Sequence, residues 1–184
     1  MPAPARWQKN NPTQAFLVAL DISGFSRDPN PDQLSEHRDR LFHAVEETRL
    51  FAQARDSQDV KVHFLGDELR LALHTGVGAR EVRNLVVDVF ADLQRSNNEV
   101  LEQYRTDIKG VVLKGVLTWK SWHKCDYLHG SLPIKAQFLM GHLAPREIAS
   151  DQYFMNALRE EAVPTSGLPQ REFSGETGYL LQVR

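Results

Sequence analysis

Residues 15–21 read Ala-Phe-Leu-Val-Ala-Leu-Asp, and residues 22–26 continue Ile-Ser-Gly-Phe-Ser. A short apolar run closed by an acid is the pattern of a buried central strand with a functional residue at its tip. The stretch that follows, SGFSRDPNPDQL (23–34), is rich in Gly, Pro, Ser and Asp and reads as a loop. Leu41, Phe42, Val45 and Phe51 then recur at helical spacing and predict a helix over roughly 35–56. Residues 60–65 (VKVHFL) and 69–74 (LRLALH) alternate as strands around Gly66-Asp67, which predicts a hairpin with an acid at its tip. Val82, Leu85, Val86, Val89, Phe90 and Leu93 mark one apolar helical face over roughly 79–104. A long strand, GVVLKGVLTW (110–119), completes the order β-α-β-β-α-β. That order predicts an α/β (α+β) fold with a ferredoxin-like core.

Further elements follow the core. The polar, aromatic segment KSWHKCDYLHG (120–130) leads to a predicted helix over 131–143. A short strand REIAS (146–150), a helix over 151–161, a Pro/Gly loop (163–169) and two short strands, REF and GYLLQV, close the chain. Residues 1–12 lack an apolar run and are expected to be a flexible leader, with Trp7 positioned to pack on a partner; residues 13–184 form one domain.

Composition narrows the partners. The formal net charge of −2 gives no overall basic field, so neither bulk nucleic acid nor an anionic membrane is favoured by charge. A single cysteine, Cys125, makes no intrachain disulfide, and no stretch has the length of a membrane span. The expected compartment is the cytoplasm. Any phosphate ligand must be held by local features.

Those features are Asp21 and Asp67. Singly, each is an ordinary turn or cap acid. Together, at two strand tips in this topology, they are expected to sit side by side, on strands that both run through the middle of the sheet. Two carboxylates that close repel, and a divalent cation relieves them. The main-chain carbonyl of Ile22 is a third candidate oxygen. Beside them, Gly24, Phe25 and Ser26 lie in a turn whose amides can cradle phosphate oxygens.

DISGFS (21–26), followed 46 positions after Asp21 by the second acid in FLGDELRLAL (64–73), resembles the class III nucleotide cyclases. KGVLTW (114–119) looks like that family's strand to the dimer arm, and CDYLHGSLPIKAQFLM (125–140) like its strand-Gly-helix segment. PREIASDQYF (145–154) and REFSGETGYLLQV (171–183) are similar to its closing elements. The resemblance implies a catalytic domain over 13–184. It implies conversion of a nucleoside triphosphate to a 3′,5′-cyclic nucleotide and pyrophosphate. It also implies two Mg²⁺ or Mn²⁺ ions on Asp21, Asp67 and the Ile22 carbonyl, and a homodimer with sites at the interface.

The departures from the family pattern are specific. Adenylate cyclases place Lys, and guanylate cyclases Glu, four positions before the second acid; here that residue is His63. The second base-reading position, three before Gly130, is Tyr127. The transition-state Asn and Arg fall at Ile134 and Phe138, and the triphosphate Lys at Ser174. Lys135 is the nearest replacement, with Arg27, Lys114, Lys120 and Arg171 as others. A His/Tyr pair fits neither purine pattern. The chain therefore looks like the pyrimidine cyclases of bacterial anti-phage (Pycsar) systems, which make cyclic UMP or cyclic CMP for a separate effector; UTP is the favoured substrate, CTP the second. Two other readings stand beside it: a silent cyclase-like domain that binds a nucleotide or a partner, and a palm-type polymerase. Glu68, the neighbour of Asp67, is expected to point to the other face of its strand. Trp119 and Trp122 are candidate interface anchors.

Overall fold

The structure is a computed structural model, and it describes residues 7–23, 31–122 and 125–181. The apolar run opens into β1 (Pro12–Ile22). It is followed by α1 (Pro31–Glu46), α2 (Arg49–Asp56), β2 (Val60–Leu65), β3 (Glu68–His74), α3 (Ala79–Asn97) and β4 (Ile108–Trp122). Then come β5 (Cys125–His129), α4 (Ser131–Met140), β6 (Ile148–Ser150), α5 (Gln152–Glu160), β7 (Gln170–Phe173) and β8 (Glu176–Leu181). The strands form one sheet in the order β2-β3-β1-β4-β6-β8-β7, with β5 paired to β4. Its first four strands are antiparallel and make the ferredoxin-like core that the element order predicts.

Alternation along β1 divides the core in two. Phe16, Val18 and Leu20 face α1, α2, α3 and α5, where Val45, Phe51, Val86, Phe90 and Phe154 complete the larger cluster. Ala15, Leu17 and Ala19 face the other way, against Leu132, Ala136 and Leu139 of α4. Gly130 stands at φ +138° between β5 and α4, and a Cβ there would meet the Val116 carbonyl at 3.1 Å. Both facts restrict that junction to glycine. No helix among the described residues is long and apolar enough to cross a membrane.

Several expectations are corrected. The acid-tipped β2 is the edge strand, and β3, not β2, lies against β1. The helix predicted over 35–56 breaks, because the Thr48 hydroxyl accepts from Phe51 N at 3.3 Å and starts α2 afresh. The helix predicted to reach 104 stops at Asn97. The Asn97 side chain accepts from Thr106 N at 2.8 Å and donates to Thr106 O at 3.0 Å, closing the turn into β4. Part of the polar segment 120–130 is strand β5, folded back on β4. Trp7 does not project toward a partner. It is buried in the smaller cluster, and its indole N–H donates to the Asp59 carbonyl at 3.0 Å.

Phe154 is fully buried and meets Phe16 edge-on, with ring centres 5.8 Å apart. Phe154→Ala is expected to lower the unfolding free energy by about 3–5 kcal/mol, read by urea denaturation.

Candidate functional site

The site is built by register. Asp21 pairs with Glu68 on β3 and with Lys109 on β4. Directly paired residues of antiparallel strands present their side chains on one face, so three charged groups meet at the end of β1. Gly66 takes φ +61° in the β2–β3 turn, and Ile22 N donates to the Asp67 carbonyl at 3.2 Å. That bond fastens the hairpin tip to the end of β1 and sets Asp67 beside Asp21. On the other flank, Ser23 N donates to the Asp107 carbonyl at 2.7 Å.

Charge is crowded there. Burial, then the nearby Asp67, then Glu68 push the Asp21 carboxyl above its ordinary range, and Lys109 opposes them. The Lys109 ammonium lies 3.3 Å from Asp21 Oδ2, with each side chain 20% exposed. Ser23 Oγ is buried without a hydrogen-bond partner among the described residues. Two acids and adjoining main-chain oxygens suit a hard divalent ion. Among the described residues no three His, Cys, Asp or Glu side chains converge as a metal cage. An ion here would complete its shell from oxygens of the main chain and of a ligand. Gly24, Phe25, Ser26 and Arg27 lie outside the described residues.

Beside the acids is a polar row of Glu68, Arg70 and His63, of which the sequence reading missed Arg70. Arg70 pairs with Ala19 on one side and His63 on the other. Its guanidinium grips Glu68 through both carboxylate oxygens, at 2.6 and 3.0 Å. Glu68 therefore faces the side of Asp21, contrary to expectation. The spacing Glu68-x-Arg70 in a strand was the available signal, since alternate residues share a face. His63 Nδ1 is buried and has no hydrogen-bond partner among the described residues. Burial and then Arg70 lower the pKa of His63 against a weaker pull from Glu68.

The remaining predicted residues lie elsewhere on the chain. Tyr127, on β5 opposite Lys120, is half-buried with its ring edge-on to His129. β5 contacts β2, so the strands of Tyr127 and His63 are neighbours. Lys135 is on α4, ion-paired with Glu176 at 2.8 Å, and lines a groove of about 420 Å³ with Lys114, Gly115 and Asp151. Lys114 and Gly115 pair with Phe16 and Ala15 on β1, five and six residues from the Asp21 level. That is about 17–20 Å along the sheet. Lys135 and its own chain's Asp21 are not brought together. Of the other candidate cations, Arg171 is engaged by Glu147 at 2.7 Å, and Lys114 lies over the Phe16 ring.

Solved structures share this arrangement of strands and helices. The guanylyl cyclase Cya2 superposes with a TM-score of 0.70 at 13% identity, covering 94% of this chain and 93% of that one. The guanylate cyclase domain of RhGC from Catenaria anguillulae, solved with GTP, gives 0.63 at 13% identity, covering 93% and 98%. The adenylyl cyclase CyaB from P. aeruginosa gives 0.62 at 12% identity, covering 95% and 97%. The chain has the class III nucleotide cyclase fold.

No protein-family model matches the chain, and no curated protein matches it in sequence. The likeness is one of fold. Within this cyclase fold, Ile134 and Phe138 are exposed on α4, Ile134 to 73%. The positions where the sequence resemblance expects polar donors thus present apolar surface.

The lowered pKa has a sign that can be measured. The folded state favours the neutral His63 ring, so its contribution to stability is intact above the ordinary value of 6.5 and erodes as pH falls below it. An NMR titration of the His63 ring protons is expected to show a midpoint below 6.5. A midpoint at or above 6.5 would contradict the burial of a neutral ring.

Proposed function

We propose that this chain is a pyrimidine nucleotide cyclase that converts UTP, and less readily CTP, to the 3′,5′-cyclic nucleotide and pyrophosphate. The observation that carries the reading is the meeting of Asp21 and Asp67 at the end of β1 in a cyclase fold. Their carboxylates and the Ile22 carbonyl would hold two Mn²⁺ or Mg²⁺ ions. Bound ions would supply activation of the ribose 3′-hydroxyl and neutralisation of the phosphates. Gly24, Phe25 and Ser26 would, as the sequence resemblance implies, receive the phosphate tail.

The base preference rests on His63. It stands where purine cyclases carry Lys or Glu, and its buried Nδ1 has no hydrogen-bond partner among the described residues. Arg70 beside it donates hydrogen bonds and accepts none. A base edge rich in acceptors, such as uracil with its two carbonyls, suits that pair better than the amino edge of cytosine. Tyr127 completes the recognition by stacking on, or bonding to, the small ring. Lys135 serves the phosphates of a site on a second copy, since its own Asp21 is out of reach. A homodimer with sites at the interface follows. The cyclic product is a second messenger for a separate effector, in keeping with the resemblance to anti-phage cyclases.

A second reading has its own support. The exposed Ile134 and Phe138 leave the transition state without two expected donors, which favours a silent domain that binds nucleotide without turnover. The same experiment separates the two. The protein is incubated with each of the four ribonucleoside triphosphates and Mn²⁺, and products are identified by mass. Cyclic UMP is expected as the main product. Asp67→Ala is expected to lower its rate at least about 100-fold. Binding with no product from any triphosphate would establish the silent domain instead. His63→Ala is expected to narrow the preference for UTP over CTP; an unchanged ratio would remove His63 from base recognition.

A further inference from the structure

The groove of about 420 Å³ lies where α4 and α5 begin, at the other end of β1 and β4 from Asp21. Its volume is in the range of small-molecule sites. Its Lys114, Ser131, Asp151 and Tyr153 have no part in the proposed turnover. Lys114 lies over the Phe16 ring, and no carboxylate among the described residues pairs with it. Lys135 lines the same groove but is held by Glu176 at 2.8 Å. The helix α4 starts at Ser131, and no side chain caps its first amides. A helix start left open carries partial positive charge.

A buried acceptor stands in the same lining. Asp151 is 3% exposed. Its Oδ1 accepts from Phe154 N at 2.9 Å, whereas Oδ2 is buried with no hydrogen-bond partner among the described residues. Burial pushes this carboxyl above its ordinary range, against the Phe154 amide, Lys135 and the nearby Lys114 amide. A polar atom left bare in this way is costly. Tyr153 follows it at the start of α5 and is 67% exposed.

We propose that this groove binds a nucleoside monophosphate. The phosphate would take Lys114 and the open start of α4, with the Ser131 hydroxyl as a further donor. A ring N–H would complete Asp151 Oδ2, once a small turn of the carboxyl presents it, and Tyr153 would stack on the base. One unpaired cation matches one phosphate. A triphosphate would bring more negative charge than Lys114 balances, close to Asp151 and Glu160. The inference does not depend on the cyclase reading.

The test is equilibrium dialysis of the full chain against radiolabelled UMP, CMP, AMP and GMP. EDTA is present, so that no metal-dependent site contributes. The four nucleosides and inorganic phosphate are the controls. At least one monophosphate is expected to bind with a Kd below about 1 mM, and at least about ten-fold more tightly than its nucleoside or phosphate alone. Tyr153→Ala and Lys114→Gln are each expected to weaken it about ten-fold, with folding checked by circular dichroism. Asp67→Ala, at the acid end of the sheet, is expected to bind as wild type does. No monophosphate bound below about 1 mM by wild type would overturn the inference. Binding that Asp67→Ala abolishes and Tyr153→Ala and Lys114→Gln leave intact would move the ligand to the acids, and overturn it too. Inorganic phosphate binding as tightly as the nucleotide would reduce the groove to a simple anion site, against the proposal. All three results leave the cyclase reading to its own turnover assay.

Discussion

The carboxylate of Asp21 sits where the fold resists its charge. It ends a strand whose six preceding residues, Ala15 to Leu20, are almost wholly buried; it faces Glu68 on β3, and Asp67 in the adjoining turn is close enough to raise its pKa. The site follows from the need to balance that charge. Within the described chain, Lys109 supplies part of the balance from β4, and Arg70 takes Glu68 out of the competition. What remains is a pair of acids, Asp21 and Asp67, at one end of the sheet. That arrangement is costly for folding and suited to gathering cations.

The rest of the architecture serves this end of the sheet. The larger cluster, under α1, α2, α3 and α5, fixes the position of β1 between β3 and β4. The single bond from Ile22 N to the Asp67 carbonyl then converts a hairpin tip into part of the site. The opposite face carries α4, which holds Lys135 away from its own chain's acids, and the β4–β5 pair that carries Tyr127. On the proposed reading the acids and Lys135 would be complementary half-sites, which a two-fold pair of copies would bring together.

Much of this was legible in the sequence, for identifiable reasons. The apolar run into Asp21 and the alternation around Gly66-Asp67 are short-range signals that survive any packing. They placed Asp21 at the end of β1 and Asp67 in the β2–β3 turn, and they carried the order of elements in the core. The lateral order of strands was not legible, because nothing local distinguishes an edge strand such as β2 from the central β3. Lys109 and Arg70 were missed for a related reason: their roles depend on pairing between residues 88 and 49 positions from Asp21 in the chain. Thr48 and Asn97 broke or ended helices whose apolar periodicity ran on past them. There, a side chain offering the backbone a partner outweighed the repeat.

The most direct measurement of the account is a crystal grown with Mn²⁺ and a non-reacting nucleoside triphosphate, with data collected at a wavelength where manganese scatters anomalously. The account predicts anomalous density between the carboxylates of Asp21 and Asp67, with the triphosphate against it. Density at some other place, or nucleotide bound with those two side chains turned away from it, would contradict it.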